Sequence, residues 1–168
     1  NGYIINKFPQ ETMTTFQGTD IPLARWADVL LMYAEAVNER FGPRDDAKEA
    51  LKRVRRRAFE PSLWANKVES YVESLNSEEE FFRAIMNERK WEFGGEFFYE
   101  GNRKIDLIRF NKYAQEMYKA KGIMPTHQYM PIPNYAVEQA ISYGKELKQT
   151  WERPGWAEDK SKAQQSIN

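Results

Sequence analysis

Ten of the twelve residues from Trp26 to Val37 are apolar when Ala is counted, with Asp28 and Glu35 as the exceptions. That density predicts a helix over 23–41 that is apolar nearly all round and therefore buried on most sides. Arg25, Asp28, Glu35 and Glu39 fall along one line and form its expected polar seam. Gly42-Pro43 supplies a stop, a glycine followed by a residue that cannot continue the helix. A second pattern follows at once. Ala47, Ala50, Leu51, Val54 and Ala58 sit at i, i+3, i+4, i+7 and i+11, an amphipathic stripe that predicts a helix over 45–58. Asp45 or Asp46 is its expected cap. Lys48, Lys52, Arg53, Arg55, Arg56 and Arg57 occupy the other face, which reads as a solvated basic surface. Two such helices joined by a short link form an antiparallel hairpin. The hairpin has the length of one tetratricopeptide-like repeat, and no second copy at that period occurs in the chain.

Residues 60–76 read as an irregular excursion carrying Trp64, Tyr71 and Val72. Ser77 with Glu80 matches a capping box and opens a third helix over 78–93, with Phe82, Ile85, Met86 and Phe93 as its apolar stripe. Arg89 falls within that stripe. An arginine on a buried face requires an acidic partner, and Glu92, Glu96 and Asp106 are candidates. Gly94-Gly95 ends the helix. A fourth helix is expected over 104–121, with Ile105, Leu107 and Ile108 turned inward. Met130-Pro131-Ile132-Pro133 reads as an extended strip, because its prolines lack N–H donors. Asn134 should cap a short helical turn over 135–139. Residues 1–23 read as extended or irregular, and 158–168 as a flexible tail.

Composition narrows the chemistry. The 168 residues contain no Cys and one His, His127, so thiolate metal sites, disulfides and multi-histidine metal sites are excluded. Twenty-five basic residues balance twenty-five acidic ones. That balance argues against a nucleic-acid partner, whose electrostatic affinity needs excess Lys and Arg. The longest apolar run, 29–34, is far short of the ~20 residues of a membrane span. The N-terminus, Asn1-Gly2-Tyr3-Ile4-Ile5, has no initiator Met and no targeting pattern, as expected after removal of a signal or for a piece of a longer chain.

No phosphate-binding glycine loop and no G-x-S-x-G elbow is present, and His127 has no evident Ser partner. Glu88 and Glu92 lie at i, i+4, a carboxylate pair of the kind glycoside hydrolysis uses. Arg89 and Lys90 between them point instead to ion pairing. No catalytic residue, metal ligand or cofactor is expected. Exposed aromatic rings can stack on sugars. Trp64, in the irregular segment, is the leading candidate, ahead of Trp91, Tyr99 and Tyr129.

Longer motifs add a family. Arg25-Trp26-Ala27-Asp28-Val29-Leu30-Leu31-Met32-Tyr33-Ala34-Glu35-Ala36 resembles the R-x-A-D-V-L-L-x-Y-A-E-A signature of the SusD/RagB family. Ala50 to Ala58 is similar to its A-L-N-x-V-R-x-R-A segment, with Lys52 and Arg53 as departures. Asn87-Glu88-Arg89-Lys90-Trp91-Glu92-Phe93 and Phe98 to Arg109 resemble E-R-R-x-E-[FL] and F-E-G-x-R-x-x-D-L-x-R. Met130 to Pro133 resembles the L-P-I-P strip, and 147–155 resembles the N-x-x-L-x-Q-N-P-G-Y ending, with a short insertion.

The resemblance implies a mainly α fold: a tetratricopeptide-like helical hairpin with irregular extended segments, within a helical superhelix. It implies that 1–168 is a single domain forming the C-terminal portion of a longer protein. Its expected activity is non-catalytic capture of oligosaccharide or another nutrient at the outer-membrane surface. The expected partner is a SusC-like TonB-dependent transporter, with membrane attachment through a lipid anchor upstream of this chain. The alternatives are a helical scaffold or transporter-docking fragment and, last, a glycan-acting enzyme. Arg89, Glu92, Arg103, Asp106 and Arg109 are the expected buried ion-pair network.

Overall fold

A computed structural model describes residue 7 and residues 23–125, 132–147 and 156–165, with side chains left aside for 97–102. Among these residues every regular element is helical. His127, Tyr129, Met130, Pro131 and the 148–155 ending lie outside the described residues, as does nearly all of 1–22. Chain contacts divide into two units, residues 1–101 and 102–168.

In the first unit, helix α1 (Trp26–Phe41) packs against α2 (Asp45–Arg56) and α4 (Glu78–Glu92). Gly42 closes α1 at φ 80°, a backbone conformation that costs glycine little, and its N–H reaches the Asn38 carbonyl. The core interleaves Ala27, Leu31 and Ala34 with Ala47, Ala50, Leu51 and Val54. These small residues let the two helices approach closely. Phe81 and Ile85 of α4 complete the core.

The structure departs from the sequence expectations at identifiable points. Helix α1 is not buried on most sides: α2 and α4 pack on one side of it. Trp26, Val29, Met32, Tyr33 and Phe41 are exposed. In α4, Ile85 and Phe93 are buried as expected, but Phe81 rather than Phe82 fills the core at the start of the stripe, and Phe82 and Met86 are only half-buried. Neither Asp45 nor Asp46 caps α2, whose cap position is Arg44; Asp46 accepts from the adjoining Ala47 N–H and from the Tyr33 hydroxyl. Ala58 lies beyond the helix and is exposed. The 60–76 excursion is ordered into a 3₁₀ turn (Pro61–Leu63), a π turn (Ala65–Glu69) and a short helix α3 (Ser70–Glu73). Val68 and Val72 are four residues apart on one helical face and both fully buried, which anchors the excursion. The capping box before α4 is present as expected, with Glu80 N–H to Ser77 Oγ at 3.2 Å and Ser77 N–H to Glu80 Oε2 at 3.4 Å.

In the second unit and the residues leading into it, the expected fourth helix is two. Helix α5 (Phe97–Arg109) ends at a turn in which Asn111 takes φ 54°, and α6 (Tyr113–Lys121) follows. Leu107 and Ile108 are buried as expected, whereas Ile105 is exposed. Helix α7 (Asn134–Ser142) begins at Asn134 itself, after Pro133 at the cap position. Residues 156–165 are not irregular: they form α8 (Trp156–Gln165), which packs on α6. Trp156 and Ala163, seven residues apart on one face, are buried with Tyr113 and Ala114. The polar composition of this segment hides that two-residue apolar stripe.

Candidate functional site

The basic face of α2 is the most conspicuous chemical feature of the chain. Its cations are spaced to meet carboxylates on both neighbouring segments. Lys52 Nζ lies 2.5 Å from Glu73 and 3.1 Å from Glu69. Arg56 bridges Glu49 at 2.7 Å and Glu69 at 2.6 Å. Arg57 reaches Glu92 at 3.2 Å. Lys48 is buried, and its ammonium donates to the Glu73 carbonyl and Asn76 Oδ1. The expected solvated face is thus largely spent on salt bridges that tie α2 to 65–73 and to α4. Hydrogen bonds from Arg56 and Lys52 hold the Glu69 carboxyl below the usual range, and one from Lys52 does the same for Glu73.

Arg55 points deeper. Its guanidinium lies 4.3 Å from the Tyr71 ring centre, 5.3 Å from Phe59 and 5.7 Å from Trp91, within cation–π range of all three. It also bonds Glu88 at 2.7 Å and the Lys67 carbonyl at 3.0 Å. Glu88 is buried, and that burial raises its carboxyl pKa despite the Arg55 hydrogen bond.

Arg25, just before α1, clasps the far end of α4. It bonds Glu96 at 2.6 and 3.0 Å, Glu92 at 2.8 Å, and the Glu92 carbonyl at 3.2 Å. Lys7 adds a second cation, 2.6 Å from Glu96 and bonded to the Glu92 carbonyl. Cations belong at that position, since the carbonyls of a helix C-terminus are electronegative. Burial pushes the Glu96 carboxyl up, but hydrogen bonds from Arg25 and Lys7 outweigh it and hold the group below its ordinary value.

The residues expected to form ion pairs divide between the two units. Arg89 is buried and bonds Asp28 of α1 at 2.7 Å, a partner absent from the sequence-derived candidates. The "polar seam" of α1 therefore faces α4 in part. Glu92 meets Arg25 and Arg57. In the second unit Arg109 pairs with Asp106 one helical turn away at 3.2 Å, and Arg103 lies 3.8 Å from Glu116. Sequence reasoning missed Asp159. Its carboxylate, buried in α8, accepts from the Ala114 and Gln115 backbone N–H groups at 2.8 and 3.3 Å. Those are the second and third residues of α6, so Asp159 does the work of an N-cap from 45 positions away.

Trp64 is half-buried. Its indole N–H donates to the Phe59 carbonyl at 2.9 Å and the Arg56 carbonyl at 3.1 Å, and the Arg56 guanidinium lies 5.9 Å from the ring centre. The ring thus satisfies carbonyls at the end of α2. Trp91 is the more open ring, 58% exposed. Tyr99 belongs to the stretch whose side chains are not described. Among the described residues no group of three or more His, Asp or Glu side chains could hold a metal ion, and no helix is long and apolar enough to cross a membrane.

The family model described as the SusD family matches residues 1–156. The chain belongs to the SusD family. It is 36% identical over 117 residues to SusD-like protein P25 of Formosa agariphila, covering 65% of this chain and 20% of that protein. It is 30% identical over 131 residues to SusD-like protein P38 of the same organism, covering 74% of this chain and 25% of that protein. The chain thus spans about a fifth to a quarter of the length of these curated SusD-like relatives. No solved structure matches it. The helical architecture of both units agrees with the helical fold that the SusD resemblance implied.

Proposed function

We propose that this chain is part of an outer-membrane, surface-exposed protein that captures oligosaccharide and passes it to a SusC-like TonB-dependent transporter without catalysis. Membership of the SusD family carries this reading, through the match over 1–156. As the C-terminal portion of a longer, lipid-anchored protein, the chain supplies scaffold more than sugar contacts. That second assignment is favoured by Trp64, whose N–H and one side of whose ring are taken up by the end of α2. The non-catalytic role is supported by Glu88 and Glu92. Glu88 is buried against Arg55, and Glu92 is held between Arg25 and Arg57, so neither is poised beside a glycosidic bond.

Calorimetry with a panel of oligosaccharides, run on the family-length protein and on residues 1–168, tests both statements. Binding by the longer protein alone supports capture with a scaffold role for this portion. Binding by residues 1–168 that Trp64→Ala abolishes would restore Trp64 as a sugar contact. Release of reducing ends, lost in a folded Glu88→Gln variant, would overturn the non-catalytic reading.

A further inference from the structure

Helix α8 and the first turn of α6 hold each other in place. Trp156, Asp159 and Ala163 of α8 are buried, Lys160 is half-buried, and the rest of the helix is exposed. Isolated helices shorter than ~12–15 residues are marginal in water, so the ten residues of α8 need a seat to stay helical. Helix α6, with nine residues, has the same weakness, and Lys112 at its cap position offers no side-chain bond to its first N–H groups. Each helix supplies what the other lacks. Asp159 accepts from the Ala114 and Gln115 N–H groups, and from the Gln115 side chain at 3.0 Å. Tyr113 in turn seats the Trp156 ring, with ring centres 6.2 Å apart and Leu107, Ile108 and Ala114 in the same cluster.

The seat is imperfect. The Trp156 indole N–H is buried and meets no acceptor among the described residues, and a buried donor left unsatisfied opposes docking. All of α8 except Trp156 also lies beyond the residues that the family model matches, so the strength of its attachment is a property of this chain. We infer that α8 is a releasable strap, which undocks as one cooperative unit with the first turn of α6 while the core of α1, α2 and α4 stays folded. Closed, the strap lays the Asp159 carboxylate on the electropositive start of α6 and covers the Tyr113 ring. Open, it bares both, and a helix start with free N–H groups beside an apolar ring is receptive to other carboxylates. Segments that open below the global unfolding free energy are those with few buried apolar contacts, and α8 contributes two apolar side chains, Trp156 and Ala163, to its core cluster.

Residue-resolved amide hydrogen exchange on the intact chain tests the strap. The Ala114 and Gln115 amides and those of 160–165 should show matched protection, at least about tenfold below that of 50–54 in the buried stripe of α2. Asp159→Ala should lower protection in both segments together by about tenfold and leave 50–54 unchanged, which also shows that the variant is folded. Replacing Trp156 alone by 3-benzothienylalanine keeps the shape of the ring and removes its N–H, and should raise protection in both segments. Protection that differs severalfold between the two segments overturns the inference, as does protection equal to that of 50–54. So does an Asp159→Ala effect confined to one segment or shared by 50–54. Lower protection with 3-benzothienylalanine overturns it as well, because the indole N–H would then be holding the strap shut.

Discussion

The two units solve the same problem, holding polar groups inside a helical core, in different ways. In residues 1–101 charge meets charge between segments distant in sequence: Arg89 on Asp28, Arg55 on Glu88, Arg25 on Glu96. In residues 102–168 the deepest carboxylate, Asp159, meets backbone N–H groups at the start of α6. A paired charge leaves its partner stranded when removed. A capping carboxylate leaves only neutral donors behind. The first unit should therefore be the more fragile to single polar substitutions.

Arg89→Ala probes that difference at its strongest. It removes the buried guanidinium from the half-buried Asp28 carboxylate, and breaking buried pairs typically costs ~3–5 kcal/mol. Urea unfolding should show a loss of about 3 kcal/mol or more. A loss under about 1 kcal/mol, the size of an exposed pair, would dissolve the contrast between the units. Phe81→Ala should lose about as much, ~3–5 kcal/mol, by opening a cavity at a fully buried position. Phe82→Ala, on a half-buried side chain one residue along, should lose clearly less, which tests the register of α4 directly.

Asp159→Ala comes next. Loss of a capping side chain costs about 0.5–2 kcal/mol, and here the orphaned Ala114 and Gln115 N–H groups are buried or nearly so, which favours the upper part of that range. Circular dichroism should report fraying of α6. If Asp159→Ala proves as damaging as Arg89→Ala, the proposed asymmetry between pairing and capping is wrong.

That pair of caps also marks what could be read from the sequence. Ser77 and Glu80 are three residues apart, so their box was legible. Asp159 caps a helix that begins more than forty positions upstream, and no local pattern encodes it. The α1–α2 hairpin was legible because apolar spacing and Gly42-Pro43 are local signals. The true partner of Arg89 was not, since Asp28 lay on what the helical wheel presented as an outer polar seam. Trp64 illustrates the limit for function. Its place in an irregular stretch was visible, but the two carbonyls that hold its N–H come from how the end of α2 turns. The apolar excess of α1 was legible too, though not that its outer half lacks cover within the described residues.

The pH dependence sharpens the comparison within the first unit, because Glu96 and Glu88 shift in opposite directions. The folded carboxyl of Glu96 lies below its unfolded value, since the Arg25 and Lys7 hydrogen bonds outweigh burial. Its contribution is therefore present above the unfolded value and lost as pH falls through the depressed folded one. Glu88 runs the other way: burial raises its folded value, so folding is favoured below the unfolded value and that advantage fades as pH rises through the folded one. Thermal unfolding from pH 3 to 7 should show a shallower acid-side fall in Glu96→Gln than in the parent, and a steeper one in Glu88→Gln.

The smallest effect belongs to Lys162→Ala. Lys162 and Glu158 are one turn apart on the exposed side of α8, at 2.5 Å. Exposed pairs of this kind gain little, because water screens the charges and two long side chains lose freedom. The pair raises the Lys162 pKa and lowers that of Glu158, yet both side chains are exposed, and thermal unfolding should not distinguish the variant from the parent. The substitution is the control for Asp159, one residue from Glu158 but buried against α6. If Lys162→Ala destabilises as much as Asp159→Ala, then α8 depends on its own helical stability. Docking through Asp159 and Trp156 would no longer explain why so polar a segment is helical.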